Sequence, residues 1–156
     1  MSATERRPIG QSGNDESTVL LVEDDWEMRA LLAEVLRREG YGVIEVADGN
    51  GALEWLGPGF LRGKREHLPS VIVSDIWLPY CSGIEILEST RLAPRRLPVV
   101  LITGFGDVDT HRRARELGAV CVLDKPFTMD ALRAAVKIAL HVSGETPPKP
   151  IDGHVV

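Results

Sequence analysis

Five short runs of apolar residues alternate along the chain with longer segments in which apolar side chains recur every three or four residues. Short runs that are apolar throughout predict strands buried on both faces of a sheet, and the periodic segments predict amphipathic helices. The predicted strands cover residues 18–22, 41–46, 71–75, 98–102 and 120–123. The predicted helices cover residues 26–39, 48–56, 83–92, 107–117 and 128–141.

The strict alternation of strands and helices predicts the fold class. It indicates an α/β fold in which a five-stranded parallel sheet carries helices on both faces and is joined by right-handed crossovers. Local signals agree with these bounds, because Asp24 or Asp25 can cap the first helix, Gly40 can end it and Thr128 can cap the last.

The composition fits one globular domain of ordinary size. The chain has 156 residues, of which 44% are hydrophobic and 26% are charged, and its formal net charge is −5. That charge gives no indication of direct nucleic-acid binding, and the cluster Arg112, Arg113 and Arg115 is interpreted as a solvated helix face. No segment is apolar over enough residues to span a membrane, and Cys81 and Cys121 have no metal-ligand spacing, so a cytoplasmic location is expected.

Three segments fall outside the alternating pattern. Residues 1–17 are polar and aperiodic and are expected to form a disordered leader. Residues 57–69 contain three glycines, two prolines and a basic cluster, and are expected to form a long loop. Residues 143–156 contain three prolines and are expected to be a tail or the start of a linker, which leaves residues 18–142 as the folded domain.

Polar residues stand at the ends of four of the predicted strands. Asp24 and Asp25 follow the first strand, Asp75 ends the third, and Thr103 and Lys125 follow the fourth and fifth. The carboxyl ends of parallel strands share one edge of a sheet, so these five side chains are expected to lie together. Clustered carboxylates repel unless a cation is present, and oxygen ligands on a rigid edge suit Mg²⁺. A lysine and a threonine beside such an ion suit an anionic phosphoryl group.

Four motifs together resemble the receiver domain of two-component response regulators. They are Glu23-Asp24-Asp25, Asp75-Ile76-Trp77-Leu78-Pro79 with Gly83, Thr103-Gly104, and Lys125-Pro126-Phe127, in this order over about residues 18–141. The resemblance implies a flavodoxin-like (βα)5 fold with strand order 2-1-3-4-5. It also implies a phosphorylation-dependent switch that receives its phosphoryl group from a sensor histidine kinase or a phosphotransfer protein, commonly ahead of a transcriptional effector.

The resemblance assigns the phosphoacceptor and the metal ligands. Asp75 would accept the phosphoryl group. Mg²⁺ would be held by the side chains of Asp25 and Asp75, by Asp24 through a bound water, and by the backbone carbonyl of Trp77.

The remaining roles concern the bound phosphoryl group and the response to it. Thr103 and Lys125 would bind its oxygens, with the backbone amides of Gly104 and Trp77 as further donors, and Pro126 would follow a cis peptide bond. The surface that changes would be used for partner binding or homodimerisation, and it would be formed by residues 107–117, 120–123 and 127–141.

Three residues depart from the pattern of the family. Val122 stands three positions before Lys125, where an aromatic switch residue is common. Trp77 and Phe105 are large side chains at positions that flank the path of hydrolytic water in the family. We expect these two rings to slow loss of the phosphoryl group by excluding water.

Two other functions share these residues. A pseudo-receiver would bind a partner without phosphorylation, which the valine at position 122 allows and the intact acidic and basic residues oppose. A phosphatase of the haloacid-dehalogenase type would also use Asp, Thr, Lys and Mg²⁺, but it needs a second acid where Trp77 stands. The chain is therefore expected to carry out only self-catalysed phosphoryl transfer and slow autodephosphorylation, with no turnover substrate.

Overall fold

A computed structural model of the chain describes residues 17–57, 69–92 and 97–144. The strands are β1 Thr18–Val22, β2 Gly42–Val46, β3 Val71–Asp75, β4 Val99–Thr103 and β5 Cys121–Asp124. The helices are α1 Trp26–Arg38, α2 Gly49–Trp55, α3 Gly83–Thr90, α4 Val108–Glu116 and α5 Met129–Ser143. Every predicted element is present, with ends that differ by at most two residues from the predicted ones.

The five strands form one parallel sheet in the order β2-β1-β3-β4-β5, as predicted. Of the three inner strands, β3 and β4 are buried along their whole length, which explains why most of their residues are apolar. The two edge strands β2 and β5 are only partly buried.

Helices cover both faces of the sheet and enclose two apolar cores. Alternate residues of β1 point to opposite faces, so Val19 and Leu21 pack against α1 and α5, whereas Leu20 and Val22 pack against the face covered by α2, α3 and α4. The sheet is therefore a rigid layer between two helical layers, and its carboxyl edge is left accessible.

Each helix begins at this carboxyl edge with a polar cap. Asp25, Asp48, Ser82, Asp107 and Thr128 accept hydrogen bonds from the backbone N–H groups of the first turns of α1 to α5 respectively. The loops at this edge are thus each fixed by hydrogen bonds between a cap side chain and the first turn of the following helix.

Most of the segments predicted as leader, long loop and tail lie outside the described residues. In the part that the structure describes, α5 extends to Ser143, and Gly144 ends it with a positive φ of 82°. None of the described helices is long and apolar enough to cross a membrane.

Candidate functional site

The register of the sheet aligns the carboxyl ends of neighbouring strands along one edge. Val22 of β1 is paired with Ser74 of β3, so the residue that follows Val22 lies beside Asp75. Thr103 of β4 is paired with Asp124 of β5, so Lys125 begins just beyond Thr103. The predicted meeting of β1, β3, β4 and β5 at one edge is therefore present.

Asp75 is the buried centre of this edge, with 5% of its surface exposed. Lys125 Nζ donates to Asp75 Oδ2 at 2.7 Å, and the backbone N–H of Trp77 donates to Oδ1 at 2.8 Å. A buried carboxylate is costly unless a cation and hydrogen-bond donors meet it, and here both do. Gly83 packs closely against the backbone of Asp75, since a Cβ at position 83 would stand 2.5 Å from the Asp75 carbonyl oxygen.

Two further carboxylates join Asp75. Carboxylate oxygens of Glu23, Asp24 and Asp75 all lie within 4.8 Å of one another. Glu23 is almost fully buried, and among the described residues its Oε2 has no hydrogen-bond partner. Burial, and then the nearby charge of Asp75, raise the pKa of Glu23 to about 7, although attraction to Lys125 acts against this.

Lys125 is the one ammonium group that faces this acidic cluster among the described residues. Its Nζ lies 3.6 Å from Glu23 Oε1 in addition to its bond to Asp75. Burial acts to lower the pKa of Lys125, but hydrogen bonding and attraction to Asp75 and Glu23 outweigh it and raise that pKa. Lys125 is one cation beside three acidic side chains, one of which has an unbonded oxygen among the described residues, so the oxygen-only cluster fits a hard divalent cation such as Mg²⁺.

The third acid of the cluster differs from the predicted one. We predicted Asp24, Asp25 and Asp75, but the Asp25 side chain is exposed and accepts from the backbone N–H groups of Glu27 (3.0 Å) and Met28 (3.4 Å). It caps α1, and Glu23 takes the place beside Asp75. The strand register explains the difference, because Glu23 is the first residue past β1. That position was readable from the end of the apolar run at Val22.

Thr103 lies at the same edge and is fully buried. Its Oγ1 accepts hydrogen bonds from Trp77 Nε1 at 3.2 Å and from the backbone N–H of Phe105 at 3.1 Å. Gly104 is exposed beside the Lys125 side chain, and the Lys125–Pro126 peptide bond is cis. The indole bond to Thr103 is a contact that the sequence did not indicate.

The three departing residues lie around this edge. Val122 is partly buried and packs against the core under α2, α3 and α4. Trp77 is 55% exposed and Phe105 is 82% exposed, and both residues donate to Thr103, so they stand at the rim of the site.

A sequence model of the family described as "Response regulator receiver domain" matches residues 19–137, well over half of the chain. The chain belongs to this receiver family. Membership places it in two-component phosphorylation signalling, in which receivers interact with histidine kinases or phosphotransfer proteins.

Individual relatives show how much of each protein the receiver spans. Sporulation initiation phosphotransferase F of Bacillus subtilis is 33% identical over 119 residues, which cover 76% of this chain and 90% of that protein. Transcriptional regulatory protein PdtaR of Mycobacterium tuberculosis is 35% identical over 124 residues, which cover 78% of this chain and 56% of that protein. The chain thus spans nearly all of the first relative and about half of the second.

A solved structure shows the same fold. The crystal structure of a response regulator receiver domain protein from Clostridium thermocellum superposes with a TM-score of 0.71, covering 82% of this chain and 97% of that one at 23% sequence identity. Together with the observed strand order, it establishes the receiver fold that the sequence motifs predicted.

Proposed function

We propose that this receiver is a phosphorylation-dependent switch in which Asp75 accepts a phosphoryl group from a phosphohistidine of a sensor kinase or phosphotransfer protein. The observation that carries the proposal is the contact of the buried Asp75 with Lys125, beside the acidic side chains of Glu23 and Asp24. An Asp75 oxygen forms the new P–O bond as the P–N bond to the imidazole breaks, and the imidazole leaves as a neutral base when its other nitrogen carries the proton.

The acidic cluster would hold the divalent cation. Asp24 and Asp75 are the two predicted ligands that the structure brings together, Glu23 completes the group, and the backbone carbonyl of Trp77 is a further predicted ligand. Mg²⁺ bound there supplies positive charge that offsets the negative charge of the phosphoryl oxygens. Lys125, which contacts both Asp75 and Glu23, supplies the protein's own positive charge.

The response would follow from the position of Thr103 and Lys125 on neighbouring strands. Three new phosphoryl oxygens are strong acceptors, and ordering Thr103 and Lys125 around them changes the ends of β4 and β5. The surface of α4, β5 and α5 would then change its affinity for a partner or for a second copy of this chain. Trp77 and Phe105 at the rim would slow hydrolysis, so the switch has a slow self-catalysed reset and no turnover substrate.

The same phosphoryl chemistry suits two signalling roles, a phosphotransfer relay and the control of an effector. Sporulation initiation phosphotransferase F, which the chain spans almost completely, is named as a phosphotransferase, and PdtaR is named as a transcriptional regulator. In the first setting the receiver passes its phosphoryl group on in a cytoplasmic relay, and in the second it controls an effector. A pseudo-receiver without phosphorylation is disfavoured by the intact Lys125–Asp75 contact, and a phosphatase by Trp77 in the place of a second acid.

Tryptophan fluorescence tests the proposal, because Trp26 and Trp77 stand near the acidic cluster and are both exposed. The full chain is titrated with Mg²⁺ and then with beryllofluoride, a phosphoryl mimic, beside Asp75→Asn and the matched surface control Asp130→Asn, whose side chain is 93% exposed. We expect saturable responses to both in wild type and in Asp130→Asn, and no response to beryllofluoride in Asp75→Asn. Equal titrations of all three proteins would rule the proposal out.

A further inference from the structure

Trp77 contacts both the phosphoacceptor and the buried threonine of the site. Its backbone N–H donates to Asp75 Oδ1 at 2.8 Å, and its indole Nε1–H donates to Thr103 Oγ1 at 3.2 Å. The first bond lies within the loop after β3, whereas the second reaches across to the end of β4. One residue therefore ties the two strand ends together before any phosphoryl group is present.

The Thr103 hydroxyl is held away from the acceptor in this arrangement. Its oxygen accepts from Trp77 Nε1 and from the Phe105 backbone, which together occupy both lone pairs. The hydrogen bonds of Asp75 in the described part of the chain come from Lys125 and the Trp77 backbone, and Thr103 is absent from that set. Thr103 must therefore turn before it can donate to an oxygen on Asp75.

The loop after β4 packs closely around the other side of Thr103. A Cβ at Gly106 would stand 2.7 Å from the Thr103 Cγ2 methyl group, so there is little free volume there. Because Thr103 is fully buried, the indole N–H is one of only two donors that set the direction of its hydroxyl among the described residues.

We propose that Trp77 is a positioning residue whose indole N–H holds Thr103 in its unphosphorylated orientation, so that this bond opposes the switch. The inference rests on the proposed function and adds a residue that lowers the affinity of the site for the phosphoryl group. Phosphoryl binding at Asp75 breaks the indole bond as Thr103 turns. More than half of the Trp77 surface already contacts solvent, so the released ring can move outward without leaving a buried cavity.

The affinity for beryllofluoride tests this claim. Isothermal titration of the full chain with Mg²⁺ present compares wild type with Trp77→Phe, which keeps a ring and removes the N–H. Loss of one opposing hydrogen bond should tighten binding by about two- to tenfold, the factor that one net hydrogen bond represents. The control Trp26→Phe removes another exposed indole of the same edge and should leave the affinity unchanged.

A second pair of variants assigns the effect to Thr103. In a Thr103→Val background the indole has no hydroxyl to hold, so Trp77→Phe should then change the affinity by less than about twofold. The same gain in both backgrounds, or an unchanged or weaker affinity in Trp77→Phe alone, would overturn the proposal.

Hydrogen exchange of the indole N–H groups gives an independent readout by NMR. The Trp77 indole proton should exchange more slowly than that of Trp26 in the free protein and should lose this protection when beryllofluoride binds. Exchange as fast as that of Trp26 before the mimic is added would refute the bond. If wild type does not bind the mimic at all, the proposed function fails as well, whereas binding with an unchanged Trp77→Phe affinity removes only the role of Trp77.

Discussion

The carboxyl edge of the sheet has two halves that differ in their contacts. At the ends of β1 and β3, which we call the acceptor half, acidic side chains cluster. At the ends of β4 and β5, which we call the switch half, the contacts are hydrogen bonds to one buried hydroxyl and one partly exposed ion pair. The acceptor half contains Glu23, Asp24 and Asp75, whose oxygens crowd within 4.8 Å of one another. The switch half contains Thr103, held by two N–H donors, and the pair His111–Asp124. Lys125 and Trp77 connect the halves through side-chain hydrogen bonds to Asp75 and Thr103 respectively.

The difference separates two tasks. In the acceptor half, burial and then the nearby charge of Asp75 raise the pKa of Glu23, so added positive charge would be favourable there. The switch half has weak individual contacts that can be exchanged at low cost. Strong charge where the ligand binds and weak contacts where the structure must respond suit a molecule with two states.

The largest expected effect comes from breaking the connection through Lys125. Lys125→Met leaves Asp75 and Glu23 without their cation and should lower the free energy of unfolding of the metal-free protein by about 2–3 kcal/mol, below the full cost of breaking a buried pair because the Lys125 side chain is 27% exposed. Urea denaturation measures the change. The exposed Lys137→Met on α5 is the control. Equal stability of the two variants would contradict the account, and adding Asp75→Asn to Lys125→Met should restore part of the loss.

The next effect distinguishes the two acids that flank Asp24. Glu23→Gln should weaken Mg²⁺ binding by about tenfold or more, because it removes one carboxylate of the cluster. Asp25→Ala should leave Mg²⁺ affinity nearly unchanged and lower stability by about 1 kcal/mol, because it removes the cap of α1. Calorimetric Mg²⁺ titration and thermal unfolding of both variants give the answer. The reverse ranking in Mg²⁺ affinity would restore Asp25 as the ligand.

Glu23 also gives the metal-free protein a pH dependence of defined sign. The folded protein keeps the Glu23 proton up to about pH 7, whereas the ordinary value for the unfolded chain is 4.5. The folded state binds more protons between these values, so the free energy of unfolding contributed by Glu23 falls as pH rises through this window. Urea denaturation at pH 5 and at pH 8 measures this contribution as the difference in free energy of unfolding between wild type and Glu23→Gln. A difference that does not change with pH would contradict the raised pKa.

The smallest expected effect is in the switch half. His111 Nε2 and Asp124 Oδ1 lie 2.8 Å apart and connect α4 to the end of β5, but the Asp124 side chain is 59% exposed. An exposed pair contributes little, so His111→Ala should lower the free energy of unfolding by less than about 1 kcal/mol at neutral pH. Urea denaturation checks this, and a loss equal to that of Lys125→Met would remove the distinction between the halves.

The sequence was enough for the parts of the site that depend on strand ends. Asp75, Thr103 and Lys125 each follow an apolar run, and parallel strands must bring such residues to one edge, so their meeting was predictable. The choice between Glu23 and Asp25 was harder, because three consecutive acids offered both a ligand and a helix cap, and the register decides between them.

Contacts between side chains from separate elements were beyond the sequence patterns. Trp77 and Thr103 are 26 residues apart, and His111 and Asp124 are 13 apart. Neither separation carries a periodic signal, since each contact joins different elements of the fold. These are also the contacts that the account places in the response rather than in phosphoryl acceptance.

Phosphoryl transfer to Asp75 itself is the most direct test of the central claim. The full chain is incubated with Mg²⁺ and phosphoramidate, a small donor with the P–N bond of phosphohistidine, and its intact mass is followed over time. The account predicts the gain of one phosphoryl group in wild type, its removal by hydroxylamine as expected for an acyl phosphate, and no gain in Asp75→Asn. Absence of a gain in wild type, or an equal gain in Asp75→Asn, would contradict it.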